Sequence, residues 1–281
     1  MKYYILYNPL AGHGSQEEKN SALKAHLDGE CIECDVTGIK DYNEFIASLD
    51  ADAKLVISGG DGTINRFVNS VDTDNIDKDV LYYACGSGND FLKDVGKEPG
   101  AAPFKINQYL KNLPTVTVKG KKYKFLNGVG FGIDGYCCEV GDKLKAEGKK
   151  VDYTGIAIKG LLYAFKPKNA VATVDGKEYS FRKCWIAPTM FGRFYGGGMM
   201  PTPDQDRLGD GRVSFMAFHG SGKLKTLMIF PSLFKGEHIK HTKYVTVIEG
   251  NEITVKFDAP CALQIDGETI LDVTEYTVHT K

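Results

Sequence analysis

With 281 residues and 42% apolar side chains, this chain can bury one large core or two ordinary ones, and its 32 glycines and 15 tyrosines predict many turns and half-buried strands. Its 35 basic residues are balanced by 36 acidic ones, and the resulting formal charge of -1 argues against wholesale nucleic-acid binding. No apolar run approaches the roughly 20 residues that span a bilayer, and MKYYILYNP enters a strand and turn without a cleavage site, so the expected location is cytoplasmic.

In chain order, the first 113 residues alternate strand and helix. KYYILYN reads as a strand, Glu17 to Leu27 as a helix, CIECDVT as a strand, Tyr42 to Leu49 as a helix and KLVIS as a buried strand. A Gly-rich turn then leads into a helix over Ile64 to Ser70, followed by the strand VLYYACG and the amphipathic stretch FKINQYLKN. This is the βαβ pattern of a parallel sheet covered by helices, in which ligands bind at loops on the carboxyl ends of strands. Three loops fall there: NPLAG, GGDGT and GSGND. Residues 114–281 differ, because TVTVKGKKYKFLNGV, AVATVDGKEYSFRKCWIAP, GRVSFMAFHG, YVTVIEGNEITVKF and ALQIDGETI alternate apolar and polar residues at period two. They predict a β-sandwich or barrel-like second domain with a helical interruption from Lys143 to Leu162 and with its last residues free to return to the first domain.

The loops carry the chemistry. Gly59 and Gly60 lack the Cβ atoms that would hold a ligand off the backbone, Thr63 can cap the helix that follows, and N–H groups at such a start favour phosphate. A bare carboxylate at Asp61 would repel a polyphosphate, whereas one holding a bridging divalent cation helps to neutralise it. Gly12, Gly14 and Ser15 offer backbone N–H groups after the first strand, and the stretch from Gly86 to Phe91 adds a hydroxyl, an amide and a second carboxylate, Asp90, which can also cap the next segment. Near the other end, the glycine between Asp266 and Glu268 lets both acids point to one side of a strand or lets the chain turn sharply; by itself the pattern also fits a solvated β-turn.

Other features read as structural. The seven cysteines are an odd count in strand-like and loop contexts and read as reduced thiols, and the lone Cys31/Cys34 pair lacks a second pair to complete a zinc site. HGSGKLKT fails as a P-loop because Ala217 and Leu224 stand where Gly and Ser/Thr are needed. His238 and His241 read as a surface pair, and the runs KGKKYK and KLKAEGKK as solvated faces that can also meet anionic lipid headgroups.

Taken together, NPLAG, GGDGT and GSGNDF resemble the N-P-x-x-G, G-G-D-G-T and G-T-x-N-D-F series of the diacylglycerol kinase catalytic family, in particular the soluble bacterial lipid kinases related to sphingosine kinases, with Ser87 in place of the usual Thr. NGVGFGID ending at Asp134, Tyr195 to Met199 with DGRVS, and Asp266-Gly267-Glu268 extend the resemblance across nearly the whole chain. It implies an N-terminal Rossmann-like α/β nucleotide-binding domain over 1–113, a C-terminal β-sandwich lipid or substrate domain over 114–281, and ATP in a cleft between them. ATP contacts are then expected from Asn8, Pro9, Gly12, Thr37, Gly59, Gly60, Asp61, Gly62, Thr63, Asn65, Ser87, Asn89 and Asp90, with Asp134 in the substrate cleft.

The implied reaction moves the γ-phosphoryl group of ATP to a lipid hydroxyl, with a diacylglycerol-like acceptor. Asp61 is expected to hold Mg²⁺, and Glu268 to be the general base with Asp266 assisting it or the metal, although spacing cannot rank the two acids. A structural Mg²⁺ is implied at Asp210 with main-chain oxygens of Arg207 and Arg212. The implied partners are a lipid substrate and a peripherally contacted membrane, without nucleic acid, and the assembly is left open, a homodimer included. NAD kinases share G-G-D-G-T and are the nearest alternative, but they lack the pairing of GSGNDF with the late D-G-E; a nucleotide-binding regulatory module without chemistry is the alternative of another class.

Overall fold

A computed structural model describes residues 1–9, 16–86 and 88–281. They form two compact units, Met1–Leu113 and Pro114–Lys281.

The first unit runs β1 (Lys2–Tyr7), α1 (Gln16–Lys24), β2 (Glu30–Asp35), α2 (Tyr42–Ala47), β3 (Lys54–Gly59), α3 (Asp61–Ser70), β4 (Asp79–Ala84), α4 (Asp90–Asp94), β5 (Phe104–Lys105) and α5 (Asn107–Leu110). Its sheet has the order β2-β1-β3-β4-β5, with the first four strands parallel and β5 a short antiparallel edge. Leu55, Val56 and Ile57 of the central strand β3 are all fully buried. Helices cover both faces of a parallel sheet, so its strands need continuous apolar runs rather than alternation. On α3 the side chains Ile64, Phe67 and Val68 face the sheet at helical spacing. Because β1 pairs with β2 on one side and β3 on the other, the winding reverses between β1 and β3. In sheets of this kind ligands bind outside the carboxyl ends of the strands at such a reversal.

The second unit contains β6 (Thr115–Val118), β7 (Lys121–Lys124), β8 (Gly128–Gly132), α6 (Ile133–Ala146), α7 (Tyr153–Lys159) with a π-helical turn over Gly160–Ala164, β9 (Lys168–Val174), β10 (Lys177–Cys184), β11 (Ile186–Met190) and β12 (Val213–Phe218). Then come α8 (Lys223–Ile229), tight 3-10 turns over Phe230–Lys235 and Glu237–Lys240, β13 (Val245–Gly250), β14 (Glu252–Ile265) and β15 (Glu268–His279). The sheet order is β13-β12-β11-β8-β14-β15-β6-β7, with the β9/β10 hairpin joined to β14. Strand β14 makes the sandwich: residues 253–257 pair with β9, and after a bulged stretch residues 263–265 pair with β8. Between these layers Phe131 stacks obliquely on Phe257 and Tyr276, with centroids 4.7 and 5.1 Å apart.

Three expectations change here. The helical interruption begins at Ile133, ten positions before the expected Lys143. Glycine at 135 is a packing requirement, since a Cβ there would fall on the carbonyl of Ala262. The last residues do not return to the first unit, because β15 stays in the second sheet through His279, which pairs with Thr115. His238 is not a surface residue: it is fully buried, with its Nε2 2.8 Å from the Pro201 carbonyl oxygen.

All seven cysteines are unbridged thiols. No described helix is long and apolar enough to cross a membrane.

Candidate functional site

In the first unit, register sets the site. Tyr7 lies beside Asp35 and Ser58, and Gly59 beside Ala84. Asn8, Thr37, the Gly59 to Gly62 turn and Asn89-Asp90 therefore all leave the same edge of the sheet. Gly12 and Ser87 lie outside the described residues. Helix α3 starts at Asp61 with Gly60 as its cap residue, and no side chain caps it. Thr63 is not the cap, because the helix begins earlier than expected and the Thr63 N–H already donates to the Gly60 carbonyl at 3.0 Å. A Cβ at Gly60 would come within 3.0 Å of the Gly86 Cα, so the two glycines let the second and third loops touch backbone to backbone. At Gly62, by contrast, a Cβ would meet nothing within 4 Å. The space beside Gly62 is open.

Asp61 ties these loops together. Its Oδ2 accepts the Asp90 N–H and its Oδ1 the Phe91 N–H, both at 2.9 Å. It thereby caps α4, whose own cap residue, Asn89, sits at φ 52° and supplies no side-chain capping bond. A Cβ on Gly88 would lie 3.3 Å from Asp61 Oδ2 and 4.0 Å from Asp90 Oδ2, so both acids border one small space. Asn89 donates through Nδ2 to the Gly86 carbonyl at 2.8 Å, while its buried Oδ1 has no hydrogen-bond partner among the described residues. Thr37 is exposed, and its N–H and hydroxyl both donate to Asp35 Oδ1, at 2.8 and 2.7 Å. Asn65 is buried on α3, where its carbonyl accepts from the Asn69 side chain.

The second unit separates the two acids of the D-G-E segment. Asp266 and Gly267 form a two-residue hairpin between β14 and β15 with φ 46° and 92°, the left-handed pair that a tight hairpin demands. The Asp266 carboxylate accepts the N–H groups of Leu126, Asn127 and Gly128 at 2.6, 2.8 and 2.9 Å. It holds the entry to β8. Glu268 is exposed at the start of β15, and among the described residues its carboxylate takes no hydrogen bond or ion pair. Sequence spacing left these roles exchangeable; the geometry gives Asp266 an anchoring task and leaves Glu268 available.

Asp134 opens α6 and is almost completely buried. The Tyr195 hydroxyl donates to its Oδ2 at 3.1 Å, while its Oδ1 has no partner among the described residues. Burial pushes the Asp134 carboxyl up to about 7, against the opposing hydrogen bonds from Gly135 and Tyr195. Gln264, which sequence reasoning missed, stands close enough to favour the charged form of Asp134, and its Oε1 accepts the Gly267 N–H at 2.9 Å. Raising the folded pKa from 3.8 to about 7 means that the native state binds more protons between those values. Stability contributed by the neutral acid is therefore lost as pH rises through about 7. Asp134→Asn is expected to flatten the decline of Tm between about pH 5 and pH 8 and to melt above wild type at the upper end. Equal slopes in calorimetry would remove this assignment.

The side chains of Arg207, Asp210 and Arg212 are engaged within the second unit. The buried Arg207 guanidinium donates to the Leu126 carbonyl at 3.0 Å and to Asn127 Oδ1 at 3.1 Å. Asp210 is turned onto Arg212, accepting its N–H at 3.1 Å and its Nε at 2.6 Å. The Arg212 carbonyl in turn accepts from Gln205 Nε2 at 3.0 Å. Asp210 is exposed, so its carboxylate is held by Arg212 at the surface. Among the described residues no three His, Cys, Asp or Glu side chains cluster as a metal site.

Residues 2–118 match the family described as diacylglycerol kinase catalytic domain, and residues 127–278 match the YegS C-terminal NAD kinase beta sandwich-like domain. A Mycobacterium tuberculosis protein named diacylglycerol kinase is 23% identical over 251 residues, covering 85% of this chain and 80% of its own. A Staphylococcus aureus protein whose name includes the words lipid kinase is 28% identical over 281 residues, covering 95% of this chain and 88% of its own. A crystal structure described as a diacylglycerol kinase from Bacillus anthracis strain Sterne shares the fold, with a TM-score of 0.61 at 18% identity, covering 99% of this chain and 93% of its own.

Proposed function

This chain belongs to the diacylglycerol kinase family and is a lipid kinase, and from that premise we propose that it moves the γ-phosphoryl group of ATP, with Mg²⁺, to the primary hydroxyl of a diacylglycerol-like lipid. The observation that carries the reading is the division of labour in the D-G-E segment, where Asp266 is engaged by three backbone amides and Glu268 has no hydrogen-bond or ion-pair partner among the described residues.

A phosphoryl-transfer transition state spreads negative charge over its oxygens, so the protein's work is positioning and electrostatic stabilisation. The N-terminus of α3, with open space beside Gly62, suits phosphate oxygens. Asp61 and Asp90, bordering one space, are the carboxylates that would hold Mg²⁺. When bound, this ion would neutralise phosphate charge. Asn8, Thr37, Asn65 and Asn89 contribute polar groups along the nucleotide, Gly12 and Ser87 belong to the same loops by sequence, and Glu268 accepts the proton of the attacking lipid hydroxyl. Asp134 with Tyr195 lines the acceptor side. Contact with the membrane is peripheral, and a homodimer is compatible with the reading.

Asp61→Asn keeps an acceptor oxygen for the α4 amides but loses the charge. Turnover is expected to fall roughly 10–100-fold, with a higher Mg²⁺ requirement. Unchanged turnover across a Mg²⁺ titration would remove the role. The reading itself is tested by incubating the protein with Mg²⁺ and radiolabelled ATP against mixed-micelle lipids and NAD. Label in one lipid fraction supports it and names the acceptor class. Label confined to the dinucleotide makes the protein an NAD kinase, and binding of ATP with no transfer makes it a regulatory module.

A further inference from the structure

In the second unit, α7, its π-helical turn, α8 and the 3-10 turn after it bury Ile156, Leu161, Ile229 and Leu233 in one core. Their outer side is also apolar. Tyr163 is 77% exposed, Leu224 78% and Met228 75%, with Ile158 and Phe234 exposed beside them in sequence. Leu224 and Met228 are one helical turn apart on α8 and share a face. Lys223 Nζ donates to the Leu162 carbonyl at 2.9 Å, which fixes the start of α8 against the turn that carries Tyr163.

Within the two segments that carry the patch the charge has one sign, with Asp152 and Glu237 just outside them. Residues 153–168 and 220–236 contain no Asp or Glu, and they carry Lys159, Lys166, Lys168, Lys223, Lys225 and Lys235. Among the described residues, Lys159, Lys166, Lys225 and Lys235 make no ion pair. The KLKAEGKK run is different: Lys143, Lys145 and Lys149 are paired with Glu139, Asp142 and Glu147, so that run carries little uncompensated charge.

We propose that this face, with Tyr163, Leu224 and Met228 at its centre and unpaired lysines around them, seats the protein on an anionic lipid bilayer. The proposal rests on the lipid kinase reading, since an acceptor lipid must be drawn from such a surface. Apolar side chains of this kind enter the boundary between headgroups and acyl chains, while lysine stems lie along it and deliver their ammonium groups to lipid phosphates. Self-association explains the patch less well: a two-fold contact of the face with itself would set the lysines of these two segments, which hold no acid, against one another.

The test is co-sedimentation of the full chain with vesicles of phosphatidylcholine, with and without phosphatidylglycerol. Wild type is expected to bind the anionic vesicles and to release them as salt rises. Leu224→Gln together with Met228→Gln is expected to lower partitioning about tenfold, and Lys225→Gln with Lys235→Gln by a similar factor of about ten. All variants should keep the wild-type Tm and wild-type turnover of a short-chain diacylglycerol dispersed in solution. Equal vesicle binding by wild type and both variants would overturn the proposal, as would variants that change only the sedimentation velocity of the free protein. If wild type fails to turn over the short-chain acceptor yet the variants still lose vesicle binding, the docking surface stands and the kinase reading falls.

Discussion

Glu268→Gln is expected to lower kcat by roughly 10²–10⁴-fold while leaving the melting temperature where it was. The side chain is exposed and no described residue bonds or pairs with it, so replacing it by an isosteric amide removes no native contact. Surface changes of this kind stay within about 0.5 kcal/mol of wild type. The amide cannot accept the proton that a lipid hydroxyl must lose as it attacks. Parallel measurement of kcat and thermal unfolding checks both halves of the expectation, and near-wild-type turnover would move the base elsewhere.

Asp266 should behave in the opposite manner. Its carboxylate is the acceptor for three N–H groups of Leu126, Asn127 and Gly128, residues that are themselves buried. Bonds to a charged acceptor are worth roughly 1.5–3 kcal/mol each and do not add fully, so Asp266→Ala is expected to destabilise the protein by about 3–5 kcal/mol. Part of that loss comes from alanine being strained at φ 46°. Asp266→Asn tolerates the same backbone and keeps one acceptor oxygen, so its loss should be smaller. Urea midpoints ordered wild type, then asparagine, then alanine would establish the anchoring role. A variant with full stability and no turnover would instead return Asp266 to the chemistry.

The sequence reading succeeded where local pattern and tertiary demand coincide. The unbroken apolar run Leu55 to Ile57 is what a strand buried on both faces needs, and the glycine pair beside Asp61 marks the strand-to-helix turn from neighbours alone. It stopped where the deciding partner is distant in sequence. The amides that claim Asp266 lie 138–140 positions away, and nothing in D-G-E announces them. Arg207 was expected to offer only a carbonyl, but its guanidinium serves the same Leu126-Asn127 segment, 80–81 positions away. The start of α6 was hidden because glycines needed for close packing against β14 look the same in sequence as glycines needed for a turn. A tyrosine directly before three glycines was the one available signal for the Tyr195 bond to Asp134, yet it could not name the partner.

The pairing of β6 with β15 also governs the order in which the chain can fold. In the first unit every strand pairs within that unit, so its sheet can close as soon as its own residues are made. In the second, Thr115 waits for His279, 164 positions later, and this ladder cannot form until nearly all of the chain has left the ribosome. Throughout that interval β6 has only the short hairpin partner β7 on one side and open N–H and C=O groups on the other. A fragment that stops before residue 268 keeps that edge bare, and bare strand edges are where incomplete chains join one another.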